Sequence, residues 1–195
     1  MKINKFFPKV VGEFSNVFGT DAVNNMVSEV EELSKHGTWR NGSLNVESSH
    51  QTIQTIHRLP AFKPLTKKIL ENSSEFLQAC GYHEFLTNTL RVTNMWFNIS
   101  GKGDYLFPHT HPGSICSGAY YLDSDESHKI SFYDPYKNII EHPQEINDIS
   151  LDVVSMPCSI DTMYLFSSDF HHGVTQQKSD ARKIVISFNL SFAIC

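Results

Sequence analysis

Ile184-Val185-Ile186-Ser187-Phe188-Asn189-Leu190-Ser191-Phe192-Ala193-Ile194 alternates without a break. Ile184, Ile186, Phe188, Leu190, Phe192 and Ile194 share one face, and Ser187, Asn189, Ser191 and Ala193 occupy the other. This is the period-two pattern of a strand with one face in an apolar core. Shorter runs of the same character precede it, at Leu90–Ile99, Cys116–Leu122, Lys129–Tyr133 and Thr162–Phe166. Before Asn88 the period is helical. Val23, Met26, Val27, Val30 and Leu33 predict a helix from Asp21 to Lys35, with Thr20 or Asp21 as its cap and Gly37 just past its end. Phe62, Leu65, Ile69, Phe76 and Cys80 line a second, which Gly81 ends. Ile3 to Phe18 reads as a short strand and a turn, and polar Thr38–Gln54, with Asn41-Gly42, as an exposed loop over a pocket. Helices followed by a run of short strands predict a mainly β fold, a sandwich or barrel with the helices packed on one sheet. We expect one domain over 1–195, with a helical support region at 1–87 and the β core at 88–195.

The composition fits one domain: 195 residues, 40% of them hydrophobic, are enough for a sizeable core. Sixteen basic against 21 acidic residues give a net charge of -5. No block of like charge forms a footprint for a phosphate backbone, so nucleic acid is not an expected partner. Cys80, Cys116, Cys158 and Cys195 form no C-x-x-C pair and suit a reducing cytoplasm. The segment Met1 to Pro8 lacks the apolar stretch of a secretory signal, and no later run approaches a membrane span. The oligomeric state is not set, and a homodimer stays open.

Ten histidines raise the question of which cooperate. His36, His50, His57, His83, His128 and His142 are isolated and read as surface residues. Phe107-Pro108-His109-Thr110-His111-Pro112-Gly113 is different. Residues i and i+2 of an extended segment project to the same face about 7 Å apart, so two imidazoles can converge on one ion. Taken alone, the pair divides evenly between a metal site and two histidines that bind nothing. A third imidazole, His172, comes in His171-His172, soon after the Tyr164-Leu165-Phe166 strand. Arg182 shares the parity of Ile184, Ile186 and Phe188 and would enter an apolar interior as a buried cation, which calls for an anion such as a carboxylate. The competing reading ends the polar Gln176–Asp180 turn at Arg182 and pairs it with Asp180 or solvent; on Arg182 alone, that reading is the stronger.

Several motifs in order carry a family resemblance: His109-Thr110-His111-Pro112-Gly113-Ser114, Ser117-Gly118-Ala119-Tyr120-Tyr121-Leu122, Phe132-Tyr133-Asp134-Pro135, Leu165-Phe166-Ser167-Ser168, His172-Gly173-Val174, Arg182, and Ser187-Phe188-Asn189. From about Met95 to Leu190 the chain resembles the prolyl-hydroxylase-like 2-oxoglutarate/Fe(II) oxygenases of bacteria and phages. The resemblance implies a double-stranded β-helix, or jelly roll, with Fe(II) on His109 and His172 and 2-oxoglutarate as co-substrate. It implies that Arg182 pairs with the distal carboxylate of 2-oxoglutarate, and that Tyr121 and Asn98 stand where such members contact the co-substrate. The implied reaction is hydroxylation of a small-molecule or peptide substrate, with release of succinate and CO2. Position 111 departs from the usual two histidines and a carboxylate, and a neutral ligand there leaves the ion more positive. Trp96, Phe97, Phe107 and Phe170 are candidate pocket walls.

Two rival readings fit the same residues. In a cupin-type metal protein without 2-oxoglutarate, Gly103 and His109-Thr110-His111 match the start of the cupin pattern; Cys116, however, stands near the place of its glutamate, and the second Pro-x-Gly motif is missing. The other rival is a catalytically inactive β-sandwich acting as a binding module.

Overall fold

The computed structural model describes residues 1–2, 8–40, 46–125, 127–134, 145, 147 and 150–193. Ile3, Asn41-Gly42, His142 and Ile194 of the sequence reading lie outside them. In chain order the elements are β1 (Val11–Ser15), α1 (Thr20–Gly37), β2 (Trp39–Arg40), β3 (Glu47–Ser48), two single 3-10 turns, α2 (Lys63–Ala79), α3 (Glu84–Thr87) and β4 (Leu90–Ser100). They continue with β5 (Leu106–His109), β6 (Cys116–Asp123), β7 (Lys129–Tyr133), β8 (Val153–Pro157), β9 (Thr162–Ser167), β10 (His172–Val174) and β11 (Lys183–Phe192).

Alternation of side chains sorts these elements into layers. One sheet runs β1-β9-β6-β11-β4-β3-β2, and a smaller one runs β5-β10-β7-β8. Ile184, Ile186, Phe188 and Leu190 of β11 face outward into a core shared with Val23, Met26 and Val30 of α1 and Leu65, Ile69 and Phe76 of α2. The opposite face, with Ala119, Tyr121, Tyr164 and Phe166, meets Ile130 and Phe132 of the smaller sheet in an inner core. The helices thus cover the outside of the larger sheet and leave its inner face for the site, as expected of a jelly roll.

Thr38–Gln54 does more than form an exposed loop. Its β2 and β3 extend the larger sheet, with Glu47 and Ser48 opposite Ile99 and Asn98. Ser49 is buried, its hydroxyl accepting from the Phe97 amide at 3.1 Å and donating to the Ile53 carbonyl at 3.0 Å. His57 and His128 are buried as well, not on the surface.

Asp161 fastens α1 to the sheet. It sits at φ 59, accepts from the Phe18 amide at 3.0 Å and the Gly19 amide at 2.7 Å, and takes the Tyr120 hydroxyl at 2.6 Å. An acid serves here because its short side chain tolerates the left-handed backbone and its charge strengthens each bond. Asp161→Ala leaves three donors, the buried Tyr120 hydroxyl among them, without their acceptor. It is expected to lower unfolding stability by about 2 kcal/mol or more, with a smaller loss for Asp161→Asn, read from urea midpoints.

Candidate metal and co-substrate site

His109 ends β5 and His172 begins β10, and the two are direct partners across the antiparallel pair. His111 follows two residues after His109, its amide donating to the Ser168 carbonyl at 2.8 Å. The imidazole centroids stand 5.1 Å (His109–His111), 4.5 Å (His109–His172) and 4.9 Å (His111–His172) apart. One ligand atom from each lies within 4.8 Å of the others. The structure therefore brings together all three histidines singled out in the sequence.

Hydrogen bonds set the tautomers. The Nδ1 of His109 lies 2.8 Å from the Phe107 carbonyl and that of His172 lies 2.9 Å from the Phe170 carbonyl. A carbonyl only accepts, so each Nδ1 holds the proton and each Nε2 presents a lone pair. His111 Nδ1 meets Asn189 Oδ1 at 2.6 Å, and that oxygen also accepts from the Ser117 hydroxyl at 2.8 Å. The Nε2 atoms of His109 and His111 are 3.1 Å apart. Two adjacent ligands about 2.1 Å from one ion stand about 3 Å apart, so the spacing fits a shared metal. Such bonds to the second nitrogen also orient metal-binding imidazoles. Burial holds the pKa of His111 at about 4 and that of His172 at about 3, so both are neutral and fit to ligate at pH 7.

The histidines open into a cavity of about 510 Å³ between the two sheets. Trp96, Asn98 and Tyr121 line it, as do Gln54, Asn94 and His50, the last of which faces the cavity and is not the surface residue expected from the sequence. Asn98 donates to the Ser187 hydroxyl at 3.2 Å. Tyr121 is buried, and burial raises its phenol well above the ordinary range. Trp96 lies tilted against His111 at 5.7 Å and edge-on to His50 at 4.7 Å. The other expected walls are elsewhere. Phe97 belongs to the outer core, Phe107 is exposed beside Tyr105, and Phe170 packs on Phe132 behind His172.

The expectation for Arg182 is not met. Its Nε donates to Asp123 at 2.9 Å and its Nη1 to Glu31 at 2.6 Å, outside the cavity, and the side chain is 43% exposed. Arg182 keeps the parity of Ile184, but that face of the strand is the outer one. Residues in phase with Ile184 turn toward the helices, whereas those in phase with Val185, Ser187 and Asn189 turn toward the histidines. Lys183 has the second phase. It lines the cavity at 2% exposure, and its Nζ has no hydrogen-bond partner. Burial lowers its pKa, opposed by Cys158 and Asp104. The available signal was the polar character of Ser187 and Asn189, a face that repels a dry core and suits a site.

A family model described as "Putative 2OG-Fe(II) oxygenase" matches residues 94–189, a span containing the three histidines and Lys183. No curated protein matches the chain in sequence. Solved structures share its fold. HygX from Streptomyces hygroscopicus, with nickel, 2-oxoglutarate and hygromycin B bound, matches with a TM-score of 0.68 at 14% identity, over 95% of this chain and 84% of that one. A Pseudomonas putida prolyl-4-hydroxylase matches with a TM-score of 0.62 at 10% identity, over 93% and 92%. The prolyl hydroxylase from Trichoplax adhaerens, in complex with a hypoxia inducible factor peptide fragment, matches with a TM-score of 0.58 at 14% identity, over 92% and 83%. The chain thus has the double-stranded β-helix of these solved oxygenases, and residues 94–189, which include the strands that carry the site, match the 2OG-Fe(II) oxygenase family.

Proposed function

We propose that His109, His111 and His172 hold Fe(II) through Nε2, that Lys183 binds the distal carboxylate of 2-oxoglutarate, and that the enzyme hydroxylates a small-molecule or peptide substrate entering past His50 and Trp96. One observation carries the reading: a buried, unpartnered ammonium shares a cavity with three imidazoles whose lone pairs converge. A metal-only hydrolytic site would leave Lys183 without a function. When bound, iron and 2-oxoglutarate supply the oxidising power, and the overall balance is substrate C–H plus O2 plus 2-oxoglutarate giving C–OH, succinate and CO2.

The chain's own contribution is placement. Three neutral imidazoles leave the ion its full double charge, which favours a dianionic keto acid. Lys183 fixes the far end of that acid, with Tyr121 and Asn98 along its flank. Ile130, Phe166 and Val185 keep the interior dry, so each ionic contact is stronger than it would be in water. Among the described residues no helix is long and apolar enough to cross a membrane. Cys80, Cys116 and Cys158 are free thiols, in keeping with a cytoplasmic location.

Mixing the protein with Fe(II) and 2-oxoglutarate without air is expected to give a weak visible charge-transfer band. His172→Ala should abolish it, Lys183→Ala should weaken 2-oxoglutarate binding by about 30-fold or more, and Arg182→Ala should leave binding unchanged. A larger effect from Arg182 than from Lys183 would sink the assignment.

Acid provides a second check. His111 and His172 take up protons near pH 6.5 when unfolded but only near pH 4 and pH 3 when folded. Between those values the unfolded chain binds more protons, so stability is full above pH 6.5 and falls as the pH drops, by up to about 1.4 kcal/mol per pH unit for each histidine. The urea midpoint of metal-free protein is expected to drop from pH 7 to pH 4.5, and to drop less in His172→Ala.

A further inference from the structure

Lys183 is not the sole unpartnered donor in this part of the fold. The inner face of β7 carries Phe132, whose ring lies 6.2 Å from that of His172, and then Ile130, which lines the cavity. His128, two residues before Ile130, has the same phase at the end away from the metal. On β11 the order is similar: Asn189 bonds to His111 at the metal end, Ser187 and Val185 line the middle, and Lys183 lies farthest. His128 and Lys183 therefore stand at the same closed end of the two sheets. Both are 2% exposed. Cys158 joins them, its amide donating to the His128 carbonyl at 2.9 Å.

The imidazole of His128 has a defined tautomer. Its Nδ1 accepts from the Asp125 amide at 3.1 Å and lies 3.0 Å from the Ser124 hydroxyl. An amide can only donate, so Nδ1 is bare and the proton is on Nε2. That Nε2 is buried and has no hydrogen-bond partner. Burial disfavours a second proton on His128, and the Lys183 charge adds to the effect. Two buried donors cannot satisfy each other; an acceptor between them can satisfy both.

We infer that His128 is a second donor to the distal carboxylate of 2-oxoglutarate, its Nε2–H binding one oxygen while the Lys183 ammonium binds the other. The inference rests on the reading of Lys183 given above. Lys183 contributes charge at the end of a flexible stem, and His128 contributes a fixed direction. Together they make a fork that selects a keto acid with a carboxylate at the right length over one without it.

Affinities of 2-oxoglutarate and of pyruvate, which lacks the distal carboxylate, measured calorimetrically on the Mn(II)-loaded protein, test this. His128→Asn keeps an acceptor near the Nδ1 position and so preserves the turn, but removes the donor; His128→Gln keeps a donor near Nε2. We expect His128→Asn to weaken 2-oxoglutarate about tenfold and leave pyruvate unchanged, and His128→Gln to stay within about threefold of wild type. If His128→Asn does not fold, His128→Ala carries the same comparison of the two acids. Wild-type 2-oxoglutarate affinity in His128→Asn, or equal weakening of both acids, overturns the inference and leaves His128 as a turn residue. A wild-type protein with no preference for 2-oxoglutarate, or a preference that survives Lys183→Ala, overturns the Lys183 reading and this inference with it.

Discussion

The antiparallel pairing of β10 with β5 sets His172 directly across from His109, and the rest of the site depends on that register. Opposed residues in such a pair have Cβ atoms only about 5 Å apart, so their rings meet with no long side chain to order. The approach is close because position 173 is glycine. A Cβ there would lie 2.7 Å from the Leu106 carbonyl and 3.0 Å from the Pro108 nitrogen, pushing the strands apart at the metal site. His111 is held by a separate network. Ser168 accepts its backbone amide, Asn189 takes its ring, and Ser117 ties Ser168 to Asn189 through bonds of 2.7 Å and 2.8 Å. The larger sheet thus positions the third imidazole and the smaller sheet the other two.

Much of this was legible in the sequence. The alternation of β11, the helical faces of α1 and α2, and the strands β4, β6, β7 and β9 follow from residue spacing, and observed boundaries differ by one or two residues. The short strands were less visible. β5, β8 and β10 have three to five residues, too few for a period to declare itself, and β5 contains a proline that argues locally against a strand. The larger gap concerns which face meets what. Alternation assigns Arg182 and Lys183 to opposite faces, but both faces of β11 are covered, one by helices and one by the second sheet. A one-residue difference therefore separates a surface ion pair from a buried ammonium. Isolated histidines carry a similar ambiguity: His36 is exposed and His128 buried, though neither has a sequence neighbour that says so.

As a proposed ligand, the histidine at position 111 would alter the electrostatics of the site in a definite direction. A carboxylate ligand would cancel one charge of the ion and repel an incoming dianion. An imidazole does neither, and its basicity is maintained by the Asn189 carbonyl opposite. Among the described residues lining the cavity there is no aspartate or glutamate. The nearby acid that Lys183 senses, Asp104, is buried and accepts the Gly101 amide at 2.9 Å. With an ion on the proposed ligands, positive charge would stand at both ends of the cavity, at the metal and at Lys183, a pattern that suits an acid with a carboxylate at each end.

A buried ammonium is costly to maintain, of order several kcal/mol before any partner is supplied. The fold offsets this only in part, through Asp104, while Arg182, one residue earlier, has two acidic partners at the surface. The contrast is informative, because a lysine needed only for stability would be placed where Arg182 is. Keeping Lys183 dry and unpaired reserves its interaction for a ligand whose carboxylate arrives with charge to share, and the orphaned Nε2 of His128 sits under the same constraint. On the proposed reading, stability given up at this end of the cavity would become binding energy available to the co-substrate, which is why the least comfortable residues of the interior point to what the protein binds.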